Sequence, residues 1–210
     1  MIQQRSSTRA SLAAALIMAA TVLQAPAGAG AADLLTFDPA SSEVVWTLGS
    51  TFHDVHGTFA MTRGEIRFDA ATGEASGRIE ISATSGESGN ESRDKKMHEE
   101  VLESGKFPRI VLLPERFTAK NGTFDPESGG SVNIDGTIEI HGVRRQITVA
   151  GEVTVAEGHL TGTAHLTIPY VEWGMKDPSA FIFRADKVVE ITLNLDGTLH
   201  PATAVAPAAE

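Results

Sequence analysis

The side chains with the most obvious capacity for chemistry sit in FHDVHG, where His53 and His56 flank Asp54. Two imidazoles and a carboxylate are the ligand types of a transition-metal site, and such a site could activate water or support a redox step. Spacing argues against the simplest version. Positions i and i+3 of an extended strand point to opposite faces, so only a turn brings both rings to one ion. A second candidate, SGESGN at residues 85–90, lacks the Gly-x-Ser-x-Gly spacing of a nucleophile elbow and shows no helical pattern behind it, so it reads as a loop.

Of the other histidines, His98, His141, His159 and His165 are scattered in sequence. The last three fall on polar faces or turns and are expected at the surface. Arg93 with Asp94, and Lys176 with Asp177, are adjacent opposite charges with two readings: local ion-pair networks, or groups that hold a polar head group. Nothing here assembles a catalytic set, so the elements that carry these residues decide what they can do.

Those elements begin after residue 31. Arg5 and Arg9 precede ASLAAALIMAATVL, an uncharged run of about 14 residues that leads into the small-residue stretch APAGAGAA. This order is that of a secretory signal peptide over residues 1–31, and the run is short of the roughly 20 residues that span a bilayer. An uncleaved anchor is the alternative. Cleavage near Ala31 or Ala32 leaves about 178 residues, enough for one domain with a sizeable core, over residues 32–199. The Pro/Ala segment from His200 to the end, residues 200–210, reads as a disordered tail.

Removing the signal leaves 15 basic side chains against 27 acidic, a formal charge of −12. Such a surface repels nucleic acid and anionic lipid. With no cysteine, neither disulfides nor thiolate metal sites are available, and stability must come from packing.

From Ser131 to Leu195 apolar and polar residues alternate cleanly. Val132, Ile134, Gly136, Ile138 and Ile140 share one face, opposite Asn133, Asp135, Thr137, Glu139 and His141. Ile147 to Val155, Leu160 to Ile168 and Val189 to Leu195 repeat the pattern, as expected for half-buried antiparallel strands. His141-Gly142 and Glu157-Gly158 are the short Gly-bearing links of hairpins. Weaker strands precede them: Val44 to Leu48, Phe59 to Phe68 with a break near Arg63-Gly64, Ile79 with Ile81, and Ile110 with Leu112. About eight sequentially paired strands predict an all-β, antiparallel up-and-down barrel, with a two-sheet sandwich as the alternative. Few aromatics and Glu, Asp and Asn on the polar faces place the greasy side inward, with no stable membrane insertion.

Gly136, Gly151, Gly162 and Ala164 put tiny residues in the middle of apolar faces. Glycine in a strand interior marks a bend, a bulge or a close approach. The plain reading is a kink that lets strands coil around a barrel. The sharper one is an elongated dry lumen open to an apolar ligand.

RDKKMHEEVLESGKFPRI, residues 93–110, interrupts the alternation. Met97, Val101 and Leu102 fall on one side of a helix, with Gly105 and Pro108 as stop signals. Its charges run against the helix dipole, so a short helix at about 93–103 must owe its stability to docking on the barrel. Arg93-Asp94, Met97, Val101-Leu102 and Lys106-Phe107-Pro108-Arg109-Ile110 together resemble the "RD…hL…FP.I.F" signature of YceI-like proteins. The resemblance extends through FDPASSEVVWTLGS, VHGTFAMTRGEIRFD, GTIEIHGVRRQITV and WGMKDPSAFIFRADKVVEITLNLDG, in order and at suitable spacing. Two features depart from the usual pattern: Trp46 stands where a smaller aromatic is more usual, and the loop at 170–180 belongs to a subset of the family.

The resemblance implies an exported, lipocalin-like barrel that holds a long apolar molecule, a polyisoprenoid or isoprenoid quinone, as carrier or reservoir. It implies no cofactor and no catalysis. Expected lumen residues are Trp46, Phe59, Met97, Ile110, Ile138, Val149, Gly151, Gly162, Ala164, Leu166 and Ile191, with Arg93, Asp94 and Lys176 as head-group candidates. The partner is a lipid rather than nucleic acid, the location is the periplasm or the exterior, and a homodimer is left open. A metal-assisted enzyme using the His53 to His56 region, or a filled barrel serving as an interaction module, are the competing classes.

Overall fold

The computed structural model describes residues 32–120, 124–125 and 127–202. The expected signal peptide at 1–31, and residues 203–210 of the expected tail, lie outside the described residues.

Ten strands follow one another as β1 (Asp33–Phe37), β2 (Glu43–Leu48), β3 (Val55–Phe59), β4 (Met61–Phe68), β5 (Ala75–Ser82), β6 (Arg109–Ala119), β7 (Gly129–Ile140), β8 (Val143–Ala156), β9 (His159–Ile168) and β10 (Val189–His200). All pairings are antiparallel, and β1 closes the sheet by pairing with both β4 and β10. β1 and β2 lie along the same strand, β10, at Gly197 to His200 and at Glu190 to Asn194 respectively. They act as one broken strand, as do β3 and β4, so ten segments make a closed barrel of eight. This is the up-and-down barrel that the alternation predicts.

Local chemistry explains the joints. His141 (φ 52°) with Gly142 (φ 72°), and Glu157 (φ 53°) with Gly158 (φ 79°), hold two consecutive left-handed residues, the turn geometry that matches the twist of a hairpin. Asp38-Pro39 breaks the first strand, because proline has no N–H for the ladder. The second break falls at Ala60, with a register shift between Met61 and Arg63, rather than at Arg63-Gly64 as the pattern suggests. β1 carries no alternation long enough to be seen in sequence.

Phe68, Leu160 and Val44 are fully buried, and each such side chain contributes about 1.5 to 3 kcal/mol by leaving water. Of the expected core, Ile138 and Val149 are buried, while Ile134, Val153, Leu166 and Ile191 are partly buried against the same cluster. β10 ends at His200, and Ala202 N donates to Asp33 Oδ1 at 2.9 Å, so the chain is still tied to the barrel there.

The helical insertion starts at α1 (Glu91–Lys96), directly behind SGESGN and earlier than the sequence pattern indicates. Asn90 caps it, its side-chain oxygen accepting from Arg93 N at 3.0 Å. A π-helical turn, Met97–Val101, continues it, with Leu102 N donating to Met97 O at 2.8 Å.

Candidate ligand-binding site

One end of the barrel encloses an apolar cavity of about 550 Å³. Its walls are the inward residues of the strand halves nearest α1: Val44, Trp46 and Leu48 on β2, Ile79 and Ile81 on β5, Ile110 and Leu112 on β6, and Ile138 and Ile140 on β7. Val55 and Phe59 on β3, Leu166 and Ile168 on β9, and Val189, Ile191 and Leu193 on β10 complete the wall. Alternation supplies this lining, because each strand gives every second side chain to the interior.

The opposite end is plugged. Phe68 and Phe117 lie 4.8 Å apart by ring centroids, and Phe124 meets them edge-on at 5.6 and 5.1 Å. Such edge-to-face contacts suit the aromatic quadrupole and fill the taper of the barrel. A separate void of about 60 Å³ lies beside the plug.

Two segments roof the large cavity. The first is the helical insertion, whose π-helical turn brings Met97 and Leu102 onto the lumen side together with Val101. The second, residues 169–188, contributes Tyr170, Met175, Pro178, Ala180, Phe183 and Ala185. Lys96 Nζ donates to Pro178 O at 2.8 Å and Lys176 Nζ to Glu100 Oε2 at 2.6 Å, so the two halves of the roof are tied. Within the first half, His98 lies between Ser104 Oγ (2.9 Å) and Gly86 O (2.8 Å), and His141 contacts Glu103 Oε2 at 2.7 Å. His141 is therefore half-buried, against the expectation of a surface residue: its turn abuts the end of the insertion and the Phe107 ring lies 4.6 Å from its own, tilted by 52°.

Charge is confined to the rim. Arg93 Nε donates to Ser88 Oγ (2.7 Å) and Arg93 Nη2 to Ser88 O (2.8 Å), while the Ser88 hydroxyl donates to Asp94. Burial pushes the Asp94 carboxyl up, but the Ser88 bonds and the Arg93 charge outweigh it and hold it below its ordinary value. The hydrogen bond from Lys176, followed by its charge, likewise lowers Glu100. Tyr170 is the buried ionisable residue among those lining the cavity; burial, with the charges of Asp177 and Asp186, pushes its phenol up to about 12, and its hydroxyl donates to Asp186 O at 2.8 Å.

Of the expected lumen residues, Trp46, Phe59, Met97, Ile110, Ile138, Leu166 and Ile191 line the large cavity. Val149, Gly151, Gly162 and Ala164 do not; they border the small void at the plugged end. At the two glycines the missing side chain serves close strand approach: a Cβ on Gly151 would lie 3.3 Å from Thr163 O and 3.5 Å from Ala164 Cβ, and one on Gly162 3.2 Å from Glu152 O. Arg93 stands on the rim, with Asp94 bound behind it and Lys176 engaged by Glu100. Sequence reasoning missed Tyr170, Met175 and Phe183, which come from a stretch without periodicity. His53 reaches the rim, whereas His56 Nδ1 is 3.0 Å from Thr47 Oγ1. Among the described residues no three His, Asp or Glu side chains converge as a metal site.

Residues 35–197 match the profile of the YceI-like domain. The chain belongs to the YceI-like family. Its fold is shared with BcnA from Burkholderia cenocepacia at 18% identity and a TM-score of 0.64, covering 77% of this chain and 99% of BcnA. It is also shared with a polyisoprenoid binding domain from Saccharophagus degradans, implicated in plant cell wall breakdown, at 16% identity and a TM-score of 0.59, covering 78% and 97%. A search of curated proteins found no match. These likenesses establish the YceI-like barrel as the fold, and the lumen of this chain must be read from its own residues.

Proposed function

We propose that this YceI-like chain is an exported binding protein that holds one long apolar lipid, a polyisoprenoid or isoprenoid quinone, in its lumen as carrier or reservoir. The observation that carries the reading is the cavity of about 550 Å³ walled by Val, Ile, Leu, Met and aromatic side chains with charge only at the rim. Pockets of about 300 to 1,000 Å³ with apolar walls are the usual size and character of small-molecule sites. A dry lumen rewards a hydrocarbon chain at about 0.8 kcal/mol for each buried CH₂, and offers nothing to a charged solute. The polyisoprenoid binding of the Saccharophagus domain, which shares the barrel, supports the ligand class. Export rests on the order of charge, apolar run and small residues in 1–31. No catalytic chemistry is assigned; at the rim Arg93 is bonded to Ser88 and Lys96 to Pro178 O, and both hold the roof.

Native mass spectrometry, followed by organic extraction of protein purified from its own host, tests this. The expected result is one bound lipid of isoprenoid mass per chain, recaptured by delipidated protein. A lipid-free protein that takes up no polyprenol after delipidation would overturn it.

A further inference from the structure

The roof segment 169–188 contains a hairpin that breaks two rules at once. Ala180 N donates to Phe183 O at 3.0 Å and Phe183 N to Ala180 O at 2.8 Å, so Phe181 and Ile182 occupy a two-residue turn. Phe181 has φ 46°, the left-handed region that glycine or asparagine occupies with least strain and that a bulky side chain rarely enters. Both side chains face solvent, Phe181 at 97% and Ile182 at 79% exposure. Turn chemistry and burial both favour small polar residues here, and a site that violates local rules without a packing gain points to function.

The surroundings say what the tip meets. Ala180 and Phe183, at the base of the hairpin, line the large cavity. Phe52, 64% exposed, projects from the facing loop, which is fastened to the hairpin by Thr51 N to Arg184 O (2.9 Å) and Arg184 N to Thr51 Oγ1 (3.0 Å). Next to it, His53 is on the cavity rim. The exposed apolar tips are thus continuous with the opening of an apolar lumen. They are also electrically favourable for approach to lipid: within 170–188, Lys176, Arg184 and Lys187 balance Glu172, Asp177 and Asp186, and Asp54 adds one charge beside Phe52, in a chain of net charge −10.

We propose that Phe181, Ile182 and Phe52 form a membrane-touching surface that dips into the interface of a lipid bilayer and lets the apolar ligand pass between bilayer and lumen without crossing water. The inference rests on the reading of the lumen as a lipid site. Aromatic and aliphatic tips on a loop gain by leaving water for the acyl boundary, and a surface with one net negative charge meets far less repulsion than the acidic remainder would. A shallow insertion of this kind is reversible, as a carrier requires.

The test uses vesicles of phosphatidylethanolamine and phosphatidylglycerol with the purified protein and its Phe181→Gly/Ile182→Ser variant. Glycine suits the positive φ, so this variant should melt no lower than the parent while losing the apolar tip. Ligand-free parent protein should co-sediment with vesicles, the variant about tenfold less, and uptake of a fluorescent polyprenol from vesicles should slow by a similar factor. Capture of the same polyprenol from detergent should be equal in both. Phe52→Ser gives an independent check and should weaken vesicle association in the same direction. Equal association of parent and variants, or none by the parent, overturns the membrane contact. Vesicle association that depends on the tips, with no polyprenol captured from detergent by either protein, upholds the contact and rejects the lipid reading of the lumen.

Discussion

Trp46 on β2 and Gly57 on β3 are cross-strand partners, and a Cβ at Gly57 would collide with indole Cε2 and Cζ2 and with Glu87 O. The indole thus covers the bare backbone of Gly57 and forms part of the cavity wall. Its Nε1–H is buried and finds no acceptor among the described residues, so packing alone holds it.

Gly57→Ala should therefore push Trp46 toward the lumen. The expected outcome is a loss of about 1 to 3 kcal/mol in chemical denaturation, the usual cost of overpacking. A shift in tryptophan emission and weaker lipid capture should accompany it. Unchanged stability and emission would show that the indole has other room.

The two ends of the barrel should respond differently to added bulk. Ala164→Leu, beside the small void, should lower stability by about 1 to 3 kcal/mol through overpacking and leave ligand capture intact. Leu166→Trp, two residues along on the large cavity, should fold with little penalty and reduce capture of a long polyprenol. Thermal melts and uptake assays on delipidated protein check both, and the reverse pattern would put the ligand at the plugged end.

Lys96→Met removes the bond to Pro178 O that ties the helical insertion to the second half of the roof. A half-buried bond of this kind is worth about 1 kcal/mol, so the melting temperature should fall only slightly. Ligand exchange should quicken several-fold, because the roof opens more often. Stopped-flow release of a fluorescent lipid measures it, and an unchanged rate would place the exit elsewhere.

Tyr170 is the sole tyrosine, so its ionisation can be followed alone by ultraviolet absorbance. The folded protein should titrate near 12, above the ordinary value of 10.0 that the unfolded chain should show. A pKa raised on folding contributes stability that is complete below about 10 and is lost as pH climbs through about 12. Denaturation midpoints should fall across that alkaline window. A folded-state titration near 10 would mean that the roof admits water to the phenol.

Export should leave a mature chain beginning near Ala32 or Asp33. Intact-mass measurement on protein from the periplasm or medium checks this, and a mass that retains residues 1–31 counts against it.

The sequence by itself determined the antiparallel strands and the side of them that is greasy, while closure into a barrel rather than a two-sheet sandwich is seen only in the pairing of β1 with both β4 and β10. A period of two in residues 131–168 and 189–195 leaves no other way to bury Ile138, Leu166 and Leu193 than on one face, and His141-Gly142 and Glu157-Gly158 force neighbouring strands to pair. The docking helix was legible for the same reason, since Met97, Val101 and Leu102 have no use on a free helix. Alternation tells that a side chain points inward but not how high along the barrel it sits. That height depends on the stagger between strands, a property of the closed ring. Gly151 and Ala164 therefore looked like lumen residues, yet Phe68, Phe117 and Phe124, drawn from distant parts of the chain, fill the space at their level. The roof was hidden for a related reason. Segment 169–188 has no periodicity, and Tyr170, Met175 and Phe183 gain an inward face because residues far back in sequence, Lys96, Glu100, Gly49 and Thr51, fasten that segment across the opening.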